Sequence, residues 1–94
     1  MNMKDAKKLK AGAIVREAFF PDSTVQGIVL SKVYVKEVHT AKQLGQIKKE
    51  RFNITVHWLG PANLIPRMNW NDRSPSRVQV RENWELMVIS HVDS

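Results

Sequence analysis

The chain has 94 residues, of which 43% are hydrophobic, so it can form one small domain. It contains no cysteine, which excludes disulfide bonds and thiolate metal sites. Fifteen Lys and Arg against nine Asp and Glu give a formal net charge of +6, which attracts polyanions without specifying one. No apolar run is long enough for a membrane span or a signal peptide, so we expect a soluble protein.

The first segment, residues 1–10, holds four lysines and one aspartate, with Leu9 as its only apolar anchor. It predicts a flexible basic arm or one loose helical turn, which either follows phosphates or only keeps the chain in solution. A single domain is predicted over residues 11–90, beginning with a β-branched strand at 13–16, and residues 91–94 form a frayed tail.

A long second strand is predicted over residues 27–38. By strict alternation, Ile28 and Leu30 would point to one face of this strand, whereas Val33 and Val35 would point to the other. This change of face requires a bulge or sharp bend near Ser31 and Lys32. A long bent strand lets a small sheet curl round, so the break favours a barrel.

The clearest strand is RFNITVHWL, residues 51–59, and we interpret it as central. Its inward positions alternate at the period of a half-buried strand and are Phe52, Ile54, Val56 and Trp58. The polar and basic segment before it, 39–50, places Lys42, Lys48 and Lys49 at the tip of a hairpin. Alternatively, Leu44 and Ile47 make this tip a helical turn.

Residues 60–76 form an unusually long connection of seventeen residues with three prolines. Its apolar residues predict either a lid over the core or, in part, a contact surface: they are Leu64, Ile65, Met68 and Trp70. On the functional interpretation, Trp70 stacks on a base while nearby arginines hold phosphates, namely Arg67, Arg73 and Arg77.

The fourth predicted strand, 77–81, also alternates. We expect its two valines, Val78 and Val80, to point inward. The polar residues then point outward and give the strand a basic exposed face: Arg77, Gln79 and Arg81. A last strand at 85–89 has apolar residues on both faces, as a strand that closes a barrel would.

Several short motifs share one order along residues 10–90: KAG at 10–12, IVR at 14–16, GIVL at 27–30, ITVHW at 54–58 and NWELMVIS at 83–90. This order resembles the small Src-homology-3-like (SH3-like) barrel proteins common in bacteriophage genomes. The resemblance implies an all-β, five-stranded, strongly bent SH3-like barrel with a long loop between its third and fourth strands. It also implies a place in the cytoplasm of a bacterial host or in a phage virion, but it leaves the function open.

Catalytic and metal-binding motifs are missing from the sequence. The three histidines, His39, His57 and His91, lack the spacing of a zinc site, and there is no phosphate-binding glycine loop or nucleophile elbow. We therefore expect no enzyme activity, no metal and no cofactor.

Three hypotheses for function remain. The first is a nucleic-acid-binding domain, whose binding residues are Lys48, Lys49, Arg67, Trp70, Arg73, Arg77 and Arg81. The second is a protein-interaction or virion structural module that docks through the loop 60–76. The third is an inhibitor of a host nuclease or polymerase. Basic residues gathered on one side favour the first and third hypotheses.

Overall fold

The computed structural model of the protein describes residues 1–20, 25–43, 45–67 and 74–92. Five strands and one short helix account for most of this part: α1 (Met3–Lys8), β1 (Ile14–Glu17), β2 (Gly27–Ala41), β3 (Gly45–Trp58), β4 (Val78–Glu82) and β5 (Leu86–Ser90). Two 3₁₀ turns lie at Ala62–Leu64 and Asn83–Glu85. The predicted all-β class is confirmed.

The five strands form one antiparallel sheet in the order β4-β3-β2-β1-β5. Within the described residues, β4 pairs only with β3 and β5 pairs only with β1, so the sheet is open. The closed SH3-like barrel predicted from the sequence is therefore not confirmed.

The β2-β3 hairpin dominates the molecule. Its pairing runs from Gly27 opposite Trp58 to Ala41 opposite Gly45, and the register shifts once, between Val29 and Ser31. This shift is the bulge predicted near Ser31, and it places Ile28 on the same face as Val33 and Val35, while Leu30 lies at the shift itself. Because both strands run to the tip, the alternative of a helical turn there is wrong; Leu44 itself lies outside the described residues.

The core lies on one side of this sheet. The four alternating residues of β3 are buried as predicted: Phe52, Ile54, Val56 and Trp58. Val15, Val29 and Leu86 pack against them from the neighbouring strands. The predicted inward face of β3 is therefore confirmed, but the central position in the strand order belongs to β2, and β3 lies between β2 and β4.

Helix α1 belongs to this core. The side chain of Asn2 caps it by accepting a hydrogen bond from the Asp5 backbone N–H at 2.8 Å. Ala6 and Leu9 are fully buried in the cluster that holds Trp58. Two alternatives were predicted for residues 1–10, a flexible arm and one helical turn. The flexible arm is wrong, because the segment forms a short helix that packs against the sheet. In the predicted tail, His91 and Val92 are exposed, and residues 93 and 94 lie outside the described part.

Strand β4 has the opposite orientation to the prediction. Gln79 and Arg81 are only 5% and 6% exposed, whereas Val78 and Val80 are 46% and 55% exposed. The cause is the register, which places Gln79 and Arg81 opposite the inward residues of β3.

Burial of Arg81 is compensated by charge. Its guanidinium lies 3.0 Å from Glu17 Oε2 and 3.3 Å from Glu85 Oε1. It also lies 5.8 Å from the centre of the Trp58 ring. The predicted outward arginine is in fact part of a buried ionic network.

Only part of the loop 60–76 lies in the described residues. Ile65 and Pro66 are buried, whereas Leu64 is exposed. The lid interpretation is thus confirmed for Ile65 and wrong for Leu64, while Met68 and Trp70 lie outside the described part.

Candidate nucleic-acid interface

The predicted binding residues do not form one group. Lys48 and Lys49 are both exposed on the two-stranded end of the hairpin. As neighbours on a strand they point to opposite faces. Only one of them can therefore face a given ligand surface.

The arginines of the loop have mixed positions. Arg67 and Arg77 are exposed, and Arg77 Nη1 donates to the carbonyl oxygens of Gly60 at 2.8 Å and Trp58 at 3.4 Å. Part of the Arg77 guanidinium thus holds the start of the loop in place. Trp70 and Arg73 lie outside the described residues.

Arg81 is a correction to the predicted site. Its side chain is 7% exposed and is paired with two carboxylates, so its charge is not available to a phosphate. It stabilises the fold, and we do not include it in the interface.

A different group of basic residues gathers on one side of the hairpin. We call this side the inner face, because it continues the side of the sheet on which Phe52 is buried. Its residues follow from the cross-strand pairs Lys32 with Ile54, Tyr34 with Phe52, Lys36 with Glu50, and Val38 with Lys48. Beyond the last pairing of β4, at Asn53, the hairpin consists of two strands only.

Lys32 connects the inner face to α1. Its Nζ donates to the carbonyl oxygens of Ala6 at 2.8 Å and Lys7 at 2.6 Å, in the last turn of the helix. A cation is favourable at this end of a helix. The contact fixes the last turn of α1, which carries the exposed Lys7 and Lys8, beside Lys32.

Tyr34 is the aromatic residue of the inner face. The residue is 45% exposed, and its ring packs edge-on against Phe52 with 5.5 Å between the ring centres. Desolvation, and after it the interaction with Glu50, raises the pKa of Tyr34. The contact with Phe52 thus holds the ring in place with an accessible surface.

Charges on the other side of the hairpin, the outer face, are largely paired. Arg51 lies 2.9 Å from Glu37 Oε1 and 3.4 Å from Glu82 Oε1. The Arg51 guanidinium, and after it His39, lowers the pKa of Glu37. Lys49 is directly opposite Glu37 in the register. The outer face thus has a carboxylate for each of its two permanent cations, Arg51 and Lys49.

The inner face has an excess of positive charge. Its lysines, Lys32, Lys36 and Lys48, face the single carboxylate of Glu50, and α1 adds Lys7 and Lys8 nearby. Positive charge around an exposed aromatic ring is the arrangement that binds the backbone and bases of a nucleic acid.

No protein-family model, curated protein or solved structure matches the chain. Within the part that the structure describes, no three His, Asp or Glu side chains are grouped as a metal site would require. None of the helices in the same residues is long and apolar enough to cross a membrane.

Sequence analysis missed Tyr34 and Lys36. The signal was present as Lys32, Tyr34 and Lys36 at every second position of a strand, which places all three on one face. The sequence prediction used only the valines between them, Val33 and Val35, to locate the bulge, and assigned no role to the polar face of the same strand.

Proposed function

We propose that this protein is a non-enzymatic binding domain that binds nucleic acid through the inner face of its β2-β3 hairpin. The observation that carries this proposal is the alignment of Tyr34 between Lys32 and Lys36, with Lys48 across the hairpin and α1 beside it. Lysines contribute affinity through the phosphates, and the exposed ring offers a stacking surface.

The shape of the hairpin supports a role in binding. A two-stranded ribbon is marginally stable alone, because it has no layer that covers either of its faces. Here it nevertheless exposes Val38 on the inner face in addition to its lysines. A partner that covers the inner face would bury this side chain and complete the missing layer on that side.

We also propose that the open sheet is a variant of the SH3-like barrel. Support comes from the bulge in β2, which turns one half of that strand towards β1, and from the position of β1 between β2 and β5. The resemblance to bacteriophage proteins stays a prediction.

The test compares two neighbouring lysines. Lys48→Gln removes a charge from the inner face, and Lys49→Gln removes one from the outer face, with equal change in net charge. Fluorescence anisotropy with labelled oligonucleotides should show weaker binding by Lys48→Gln and a log-log salt slope reduced by about 0.7 to 0.9 for the lost contact.

Lys49→Gln is the matched control and should stay close to wild type in both affinity and slope. Equal effects of the two substitutions would mean that binding depends on the net charge of the protein and not on one face of the hairpin. No binding by wild-type protein at about 50 mM salt, where screening is weak, would refute the proposal.

A second candidate function is the docking of a protein partner. The observation that favours it is the exposure of Val78 and Val80 on the outer face of β4, where the sequence predicted a basic surface. Exposed β-branched residues on an edge strand are typical of protein contacts. In that case Val80→Lys would abolish the contact and leave any nucleic-acid binding unchanged.

A further inference from the structure

The form of nucleic acid that the inner face accepts follows from the ring of Tyr34. Its edge contact with Phe52 holds the ring in place, and the residue is still 45% exposed. A fixed ring binds a flat ligand with little loss of side-chain entropy. An unpaired base offers such a flat surface, whereas the bases of a duplex are covered by their neighbours.

The lysines are spaced for a strand that passes over this ring. Residues two apart on a β-strand lie about 6 to 7 Å apart on the same face, so Lys32 and Lys36 flank Tyr34 on either side. The ammonium group of Lys32 is occupied by the carbonyl groups of α1. The remaining lysines of the inner face are Lys36, which is directly opposite Glu50, and Lys48, and both are exposed.

A duplex fits the inner face less well. The major groove admits a two-stranded β-ribbon, but a base stacked inside a duplex has no free face for the ring of Tyr34. Between Tyr34 and Lys48 the inner face of the described hairpin presents Lys36, Val38 and Glu50. Glu50 opposes the dense charge of two backbones, while beside a single stacked base its carboxylate can accept a hydrogen bond from an amino group.

We infer that the inner face binds single-stranded nucleic acid, with one base stacked on Tyr34 and the backbone held by Lys36 and Lys48. This inference rests on the proposed function and adds the strandedness of the ligand and the residue that selects it.

The experiment measures anisotropy for a labelled single strand of roughly 12 nucleotides and for a duplex of the same sequence. Wild-type protein should bind the single strand at least about tenfold more tightly. Tyr34→Leu should weaken single-strand binding by about 5- to 150-fold, with an unchanged salt slope because a phenol ring releases no counterion. Tyr34→Phe keeps the ring and should bind within about threefold of wild type.

Thermal melts of both variants establish that they are folded, and Tyr34→Phe separates loss of the ring from loss of the hydroxyl contact. Equal or tighter binding of the duplex, or wild-type affinity in a folded Tyr34→Leu, would overturn the inference while the proposed function stands. Absence of binding to either ligand would overturn both.

Discussion

Replacing Arg81 by methionine should remove a large part of the stability of this domain. The side chains of Arg81 and Glu17 are only 7% and 9% exposed and lie 3.0 Å apart. Methionine keeps the apolar volume but leaves the buried carboxylate of Glu17 without its cation. Breaking a buried pair in this way costs about 3 to 5 kcal/mol. A domain of 94 residues has a total of about 5 to 14 kcal/mol.

Urea unfolding followed by circular dichroism measures the loss. With an m-value of about 1.5 kcal/mol/M, the midpoint should fall by about 2 to 3 M. Arg77→Met is the matched control on the same part of the chain, because Arg77 is exposed and donates only to backbone carbonyls. That substitution should cost about 1 kcal/mol.

The pair can be tested further by a double-mutant cycle. Glu17→Gln combined with Arg81→Met should be less destabilising than the sum of the single changes, since neither charge is then left unpaired. If the urea midpoint of Arg81→Met is no lower than that of Arg77→Met, the buried network is refuted and Arg81 must be exposed to solvent.

Three further predictions concern the core and the outer face. Gly27→Ala should destabilise by about 1 to 3 kcal/mol in urea unfolding, because the new methyl group would collide with Val56 Cγ1 and lie 2.9 Å from Trp58 Cε3; wild-type stability would contradict this packing. Trp58→Ala should cost about 3 to 5 kcal/mol, a large part of the total stability, and a melting temperature within a few degrees of wild type would show that β3 does not carry the core. Arg51→Gln should raise the pKa of Glu37 in a carbon-13 NMR titration, because the Arg51 guanidinium is the main cause that lowers it. Since the pKa of Glu37 is lowered in the folded protein, its contribution to stability is present above the ordinary pKa of 4.5. This contribution is lost as the pH falls through the folded pKa.

The sequence predicted those parts of the fold in which local pattern and burial agree. Four alternating apolar residues in β3 had one possible orientation towards a core, and the parity change in β2 required the bulge between Val29 and Ser31. Both features depend only on residues close together in the chain.

The orientation of β4 could not be predicted in this way. Arg81 is buried because Glu17, 64 residues away, supplies a carboxylate at the right place, and Gln79 is buried because its side chain accepts a hydrogen bond from the Trp58 indole N–H at 3.1 Å. Alternation alone favours valines in the core, and only the three-dimensional arrangement of partners reverses that preference.

The candidate site was predicted in part. Lys48 was assigned from its place near a hairpin tip, but its face depends on the register between β2 and β3. The proximity of α1 depends on the contact of Lys32 with the last helical turn, which no local pattern indicates. Tyr34 was identifiable from its position between two lysines.

Tyr34 is the single tyrosine of the chain, so its ring gives one set of NMR signals and reports on the inner face without further assignment. Titrating protein with a carbon-13-labelled tyrosine ring against a short single-stranded oligonucleotide tests the nucleic-acid interface most directly. Stacking of a base should shift the ring signals upfield in a saturable manner, with a smaller change for the matched duplex. Ring signals that stay in place while the oligonucleotide binds elsewhere, or an absence of binding, would contradict the interface.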